Sequence, residues 1–115
     1  MPEANRDIAS LWDMSQAIAK IDEVVADTNR EQFLANWREQ SIIERQLEIL
    51  GEAARRISEE FQQEHPDIDW RKIIGLRNVI AHQYDRIEPD LIWEIVTSDL
   101  LGLDQKIQQL LPPLP

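Results

Sequence analysis

Residues 8–25, IASLWDMSQAIAKIDEVV, carry apolar side chains at Ile8, Leu11, Met14, Ile18, Ile21 and Val25, in steps of 3, 3, 4, 3 and 4. Steps of that size return a side chain to one face of an α-helix, whereas a half-buried strand would alternate every second residue. Trp12 falls beside the stripe, and Asp22, Glu23 and Asp27 fall mainly off it. The periodicity predicts a first helix that stops at Asp27-Thr28-Asn29.

The same period continues downstream. Thr28 followed by Glu31 has the form of a capping box, in which two side chains satisfy free amides of a first helical turn. Phe33, Leu34, Trp37, Ile42, Ile43, Leu47, Ile49, Leu50, Ala53, Ala54, Ile57 and Phe61 then read as one helix of about 30 residues, a length that suits an antiparallel bundle or a dimer. Gly51 inside it marks either a slight bend or a close approach by another helix. His65-Pro66 ends the element. Asp67 or Asp69 can cap a third helix carrying Trp70, Ile73, Ile74, Arg77, Ala81 and Tyr84. Pro89 suits the first turn of a fourth, where its missing amide would have no partner. Apolar residues from Leu91 to Leu111 carry that helix to the Pro-Pro-Leu-Pro end. The expected fold is all-α, an up-and-down bundle of four to five helices that dimerises. It forms a single domain over 1–115, with a short flexible Pro-rich tail at 112–115.

Composition narrows the function. The 115 residues hold 12 Lys and Arg against 22 Asp and Glu, a net charge of −10. Such an excess argues against a protein that coats duplex nucleic acid or anionic membrane, because Lys and Arg hold those partners. Cysteine is absent, which removes disulfides, thiolate zinc sites and cysteine nucleophiles. The longest charge-free run, Ile107–Pro115, is far short of the ~20 apolar residues of a membrane helix. No signal-peptide pattern is present, so the expected location is cytoplasmic.

Glycine-rich phosphate loops, Gly-x-Ser-x-Gly elbows and His-Glu-x-x-His motifs are missing, and the two histidines, His65 and His82, are too far apart for a histidine-built metal site within one chain. No metal or cofactor is expected. One segment stands apart: Trp70–Ile87 holds Arg71, Lys72, Arg77 and Arg86 against Asp85, a net +3 inside a chain whose remainder is −13. Within it, Arg77, Asn78, His82 and Tyr84 combine a permanent cation, an amide, an imidazole and a phenol. That set can do phosphodiester chemistry. The imidazole can move a proton to or from a ribose 2′-hydroxyl or the leaving oxygen, and the guanidinium can stabilise charge on the phosphoryl group. Arg77 and His82 are five residues apart, about 140° around a regular helix. One phosphate therefore meets both only if the helix ends near His82 or if a two-fold mate completes the cleft, and the second is favoured. Plainer roles exist for each residue. Arg77 can neutralise a buried carboxylate, with Glu52 the candidate, His82 can be a helix-end residue, and Tyr84 a core aromatic. The four tryptophans, Trp12, Trp37, Trp70 and Trp93, read as packing residues rather than nucleobase platforms.

Arg77, four residues, His82, one residue, Tyr84 resembles the signature of HepT-like proteins of the HEPN superfamily. Ile49-Leu50-Gly51-Glu52-Ala53-Ala54 is similar to that family's Gly-Glu-Ala segment, and His65-Pro66-Asp67-Ile68-Asp69-Trp70 to its His-Pro-x-Ile-Pro-Trp turn, with Asp69 where the family often has proline. The Arg6-Asp7-Ile8 start and the Trp93 segment also fit, so the similarity spans Arg6 to Leu111. The resemblance implies the toxin of a type II HEPN/MNT toxin–antitoxin pair, a metal-independent endoribonuclease acting on cellular RNA. It makes Arg77 and His82 the catalytic pair and Asn78 a polar supporter. Tyr84 matches the tyrosine that the partner, an MNT nucleotidyltransferase antitoxin, modifies with AMP (AMPylation). Homodimers in a larger hetero-oligomer with the antitoxin are implied. The competing expectation is a non-catalytic helical partner and modification substrate of that nucleotidyltransferase.

Overall fold

A computed structural model describes residues 3–81 and 88–112, and among these the secondary structure is helix and turn with no strand. Helix α1 spans Glu3–Ala26, α2 Arg30–Leu34, α3 Trp37–Arg56, α4 Glu59–Glu64, α5 Trp70–Ala81, α6 Pro89–Glu94 and α7 Leu103–Leu110. A π-helical turn, Ile95–Asp99, continues α6. His82 and Tyr84 lie outside the described residues, as do 113–115 of the tail.

Helix α3 is the centre of the molecule, with α1 packed along one side and α5 along another, and α7 packs on α1. The first stripe behaves as its spacing requires: Leu11, Met14, Ile18 and Ile21 are all buried. Facing them, α3 contributes Ile43, Leu47, Leu50, Ala53 and Ala54, and α5 contributes Ile73, Leu76 and Ile80. Phe33 is fully buried and meets the Trp93 ring at 5.2 Å. No described helix is long and apolar enough to cross a membrane.

The expected 30-residue helix is instead three, because polar residues inside the apolar period act as caps. Asn36 Oδ1 accepts from the Arg38 and Glu39 amides at 3.0 and 3.1 Å, which restarts the helix as α3. Ser58 Oγ accepts from the Phe61 amide and starts α4. Its position is held from across the fold: buried Asp7 accepts from the Ser58 amide at 2.8 Å and from its hydroxyl at 2.7 Å. The first capping signal also differs from the expected one. Asn29, not Thr28, caps α2, accepting from the Gln32 amide at 2.9 Å, while the Thr28 hydroxyl donates to Glu39 at 2.7 Å.

Trp37 is the first residue of α3 and stands about 110° around that helix from buried Ile43, Leu47 and Leu50. It is 68 % exposed, so the packing role expected of it fails. Trp70 is buried and donates its Nε1–H to the His65 carbonyl at 3.0 Å, and Trp12 and Trp93 are half-buried. The final stripe is also divided. The Thr97 hydroxyl donates to the Trp93 carbonyl at 2.6 Å, the widened turn closes with Leu100 N–H on the Ile95 carbonyl, and Gly102 turns the chain at φ +82°. Pro89 opens α6 as expected, and Asp69 rather than Asp67 caps α5 by accepting from the Lys72 amide.

Candidate functional site

Arg77 is fixed by the crossing of α3 and α5. Buried Ile73, Leu76 and Ile80 turn one face of α5 inward, so Arg77, one position beyond Leu76, turns out. At the crossing stands Gly51, which resolves the choice between bend and close approach. A Cβ there would sit 3.1 Å from the Ile73 carbonyl oxygen, 3.2 Å from the Arg77 amide nitrogen and 3.4 Å from the Arg77 Cβ. Only a residue without a side chain lets the two backbones meet so closely.

The next residue, Glu52, receives the Arg77 guanidinium: Nη1 lies 3.4 Å from Glu52 Oε2. The same carboxylate accepts from Arg55 at 2.8 and 3.3 Å, and Arg56 Nε stands 3.9 Å away. Arg56 also reaches across to Asp13 on α1 at 3.5 Å, and Arg45 pairs with Glu48 at 3.4 Å. Arg45, Glu48, Ile49, Glu52, Arg56 and Arg77 line a groove of about 290 Å³. The Arg77 side chain is 52 % exposed, so a ligand in the groove can reach it without unfolding anything. Asn78, beside it, is also exposed.

The Arg55 hydrogen bond is the largest influence holding the Glu52 carboxyl below its ordinary 4.5; burial opposes it, and the charges of Arg55, Arg77 and Arg56 then add to the lowering. A lowered folded-state value means these contacts contribute fully above the unfolded value and are lost as pH falls through the folded one. An NMR titration of the Glu52 carboxyl carbon is therefore expected to show a midpoint below 4.5. Arg55→Ala should raise that midpoint further than Arg77→Ala does, and the reverse order would refute the assignment.

Of the residues singled out in the sequence, the described structure leaves Arg77 and Asn78 exposed, about 100° apart around α5, and gives Arg77 the Glu52 partner named for it. His65 belongs to the turn before α5, its ring 4.4 Å from Phe61. The sequence reading missed Arg45, Arg55 and Arg56. Their signal is the spacing 45, 48, 52, 55 on α3, which repeats at helical steps on the face opposite the apolar one.

The family described as Ribonuclease HepT-like matches residues 14–110, a span that includes the whole groove. A Methanocaldococcus jannaschii protein whose name infers an RNase is 31 % identical over 106 residues, covering 91 % of this chain and 97 % of its own length. A Thermococcus cleftensis protein named probable ribonuclease HepT is 33 % identical over 100 residues, 87 % of this chain and 91 % of its own. A second M. jannaschii protein with an inferred RNase name is 27 % identical over 103 residues, 90 % and 85 % of the two lengths. No solved structure matches.

Proposed function

Because the chain belongs to the ribonuclease HepT-like family of the HEPN superfamily, we propose that it is an RNase of the HEPN type, working without metal through Arg77 and His82. The observation that carries this reading is an exposed Arg77 in an arginine-lined groove, set in a chain of net charge −10. In the proposed reaction the His82 imidazole takes the proton of a ribose 2′-hydroxyl. The freed oxygen forms a bond to phosphorus, and the bond from phosphorus to the 5′-oxygen breaks. That leaving oxygen picks up a proton, so the products are a 2′,3′-cyclic phosphate and a 5′-hydroxyl. Arg77 stabilises the charge that builds on the phosphoryl oxygens, and Asn78 offers an exposed amide. A two-fold homodimer would supply both residues to each phosphate.

In this reading the protein is the toxin of a type II HEPN/MNT pair, and the partner nucleotidyltransferase attaches AMP to Tyr84. An anionic nucleotide two residues from His82 would fill the cleft and repel RNA phosphates. The alternative, a binding partner without nuclease activity, draws support from the Glu52 carboxylate that already occupies Arg77.

One experiment separates the two readings. Pure, unmodified protein is incubated with RNA in EDTA, and in parallel with a small nucleotidyltransferase encoded beside its gene and ATP. Cleavage to cyclic-phosphate ends in EDTA, suppressed after AMP increments that Tyr84→Phe abolishes, is the expected result. AMP transfer with no cleavage by the unmodified protein would leave the partner reading standing.

A further inference from the structure

Of the apolar side chains that the sequence pattern assigns to the core and the structure exposes, Ile42 and Leu91 among them, Trp37 is the aromatic one and the most exposed of the three, at 68 %. The Arg38 guanidinium carbon lies 5.4 Å from the centre of its ring. At 100° per residue, Trp37, Arg38, Arg45, Glu52 and Arg56 fall within an arc of about 100° on α3. The exposed ring and the groove around Arg77 are therefore two ends of one strip of surface, and with a rise of 1.5 Å per residue they are about 22 Å apart. Along that strip and its α5 border five arginines (Arg38, Arg45, Arg55, Arg56 and Arg77) face three glutamates, Glu44 at its edge, Glu48 and Glu52, with Asp13 across the groove from Arg56. In an acidic protein this is a local basic excess, and it begins at an aromatic ring.

We propose that Trp37 is a base-stacking platform for single-stranded RNA, and that the strand runs from it along Arg38 and Arg45 to Arg77. This rests on the RNase reading above. Charge complementarity selects a polyanion over an apolar protein surface, and a ring with a guanidinium beside it suits a nucleotide, which presents a flat base next to a phosphate. Nonspecific single-strand sites elsewhere combine these two elements, an aromatic surface for bases and a cationic groove for the backbone. Stacking accepts any base, so the platform sets where the strand enters and leaves sequence preference to the cleft. Both Glu48 and Glu52 give up an arginine when phosphates arrive, and Glu52 keeps Arg55.

The probe is a labelled 2′-O-methyl decamer of adenosine, which lacks the nucleophilic hydroxyl and stays intact, compared with an abasic decamer of the same backbone. The full-length protein and its Trp37→Ala and Trp37→Phe variants are titrated by fluorescence anisotropy, with sedimentation measured alongside. Trp37→Ala is expected to weaken binding of the adenosine strand about 10-fold, within the range found for base–aromatic stacking. Trp37→Phe should restore most of the affinity, and the abasic strand should bind all three proteins alike. Unchanged affinity for the adenosine strand in Trp37→Ala would overturn the platform and leave the RNase reading intact. So would an equal loss on the abasic strand, or a loss accompanied by dissociation of the protein, which would make Trp37 a protein–protein contact. Wild-type protein that binds neither strand would overturn both.

Discussion

Arg77→Ala is expected to lower RNA cleavage by about 10²- to 10³-fold, the usual cost of removing one group that stabilises charge in the transition state. The same substitution should leave the fold intact. The Arg77 side chain is half exposed, and its partner Glu52 keeps the hydrogen bonds from Arg55, so no buried charge is orphaned. Arg77→Lys would restore the charge without the planar fork, and a partial recovery is expected. Single-turnover cleavage in EDTA with circular dichroism on the same samples checks both halves. A variant that folds and cuts at the wild-type rate would remove Arg77 from the mechanism.

Gly51→Val is expected to be the most damaging small substitution in α3. The first atom it adds already meets backbone of α5, 3.1 Å from the Ile73 oxygen and 3.2 Å from the Arg77 nitrogen, and backbone has no rotamer to move to. Helix α5 must shift away, at a cost of about 3 kcal/mol, the upper part of the range for overpacked sites. For a chain of this length that corresponds to a fall in Tm of roughly 10–20 °C. Gly51→Ala adds one carbon and gains about 1 kcal/mol of helix propensity, so its loss should be clearly smaller. Thermal unfolding of the two variants gives the order. Cleavage measured well below the Tm tests the functional half, because a displaced α5 carries Arg77 off Glu52.

Much of this architecture was legible in the sequence. The stripe from Ile8 to Val25 follows from spacing alone, since burial of one helix face is a local property of the pattern. The stripe expected on α5 was only half right: its inward face runs through Trp70, Ile73, Leu76 and Ile80, leaving Ile74 half-buried and Arg77 exposed. The Arg77–Glu52 pair was also foreseen from the place of Glu52 beside Gly51, although the carboxylate is half-buried rather than buried; that Gly51 brings the two helices together there is visible only in the fold. The breaks at Asn36 and Ser58 were not. Asn and Ser inside an apolar period look like any polar interruption, and whether they cap depends on the backbone around them. The exposure of Trp37 was hidden because its ring was counted into the apolar period, although at 100° per residue it stands about 110° from Ile43, Leu47 and Leu50 on the same helix. The three extra arginines of α3 were obscured because residues 45–56 were read for their apolar face, and the polar face acquires meaning only once α5 lies beside it. His82 and Tyr84, the other half of the sequence motif, fall outside the described residues.

The hold of Asp7 on Ser58 spans 51 positions of chain. Closing a loop of that length costs chain entropy that a local cap does not, a cost that grows with the logarithm of loop length. Without α1 in place, the Ser58 hydroxyl still caps α4, and the Gln62 side chain still reaches the Ile57 carbonyl, but the Asp7 carboxylate no longer holds them. The boundary between α3 and α4 is thus secured in part by the start of the chain. The turn that leads toward α5 and Arg77 depends on the docking of α1 as well as on its own residues.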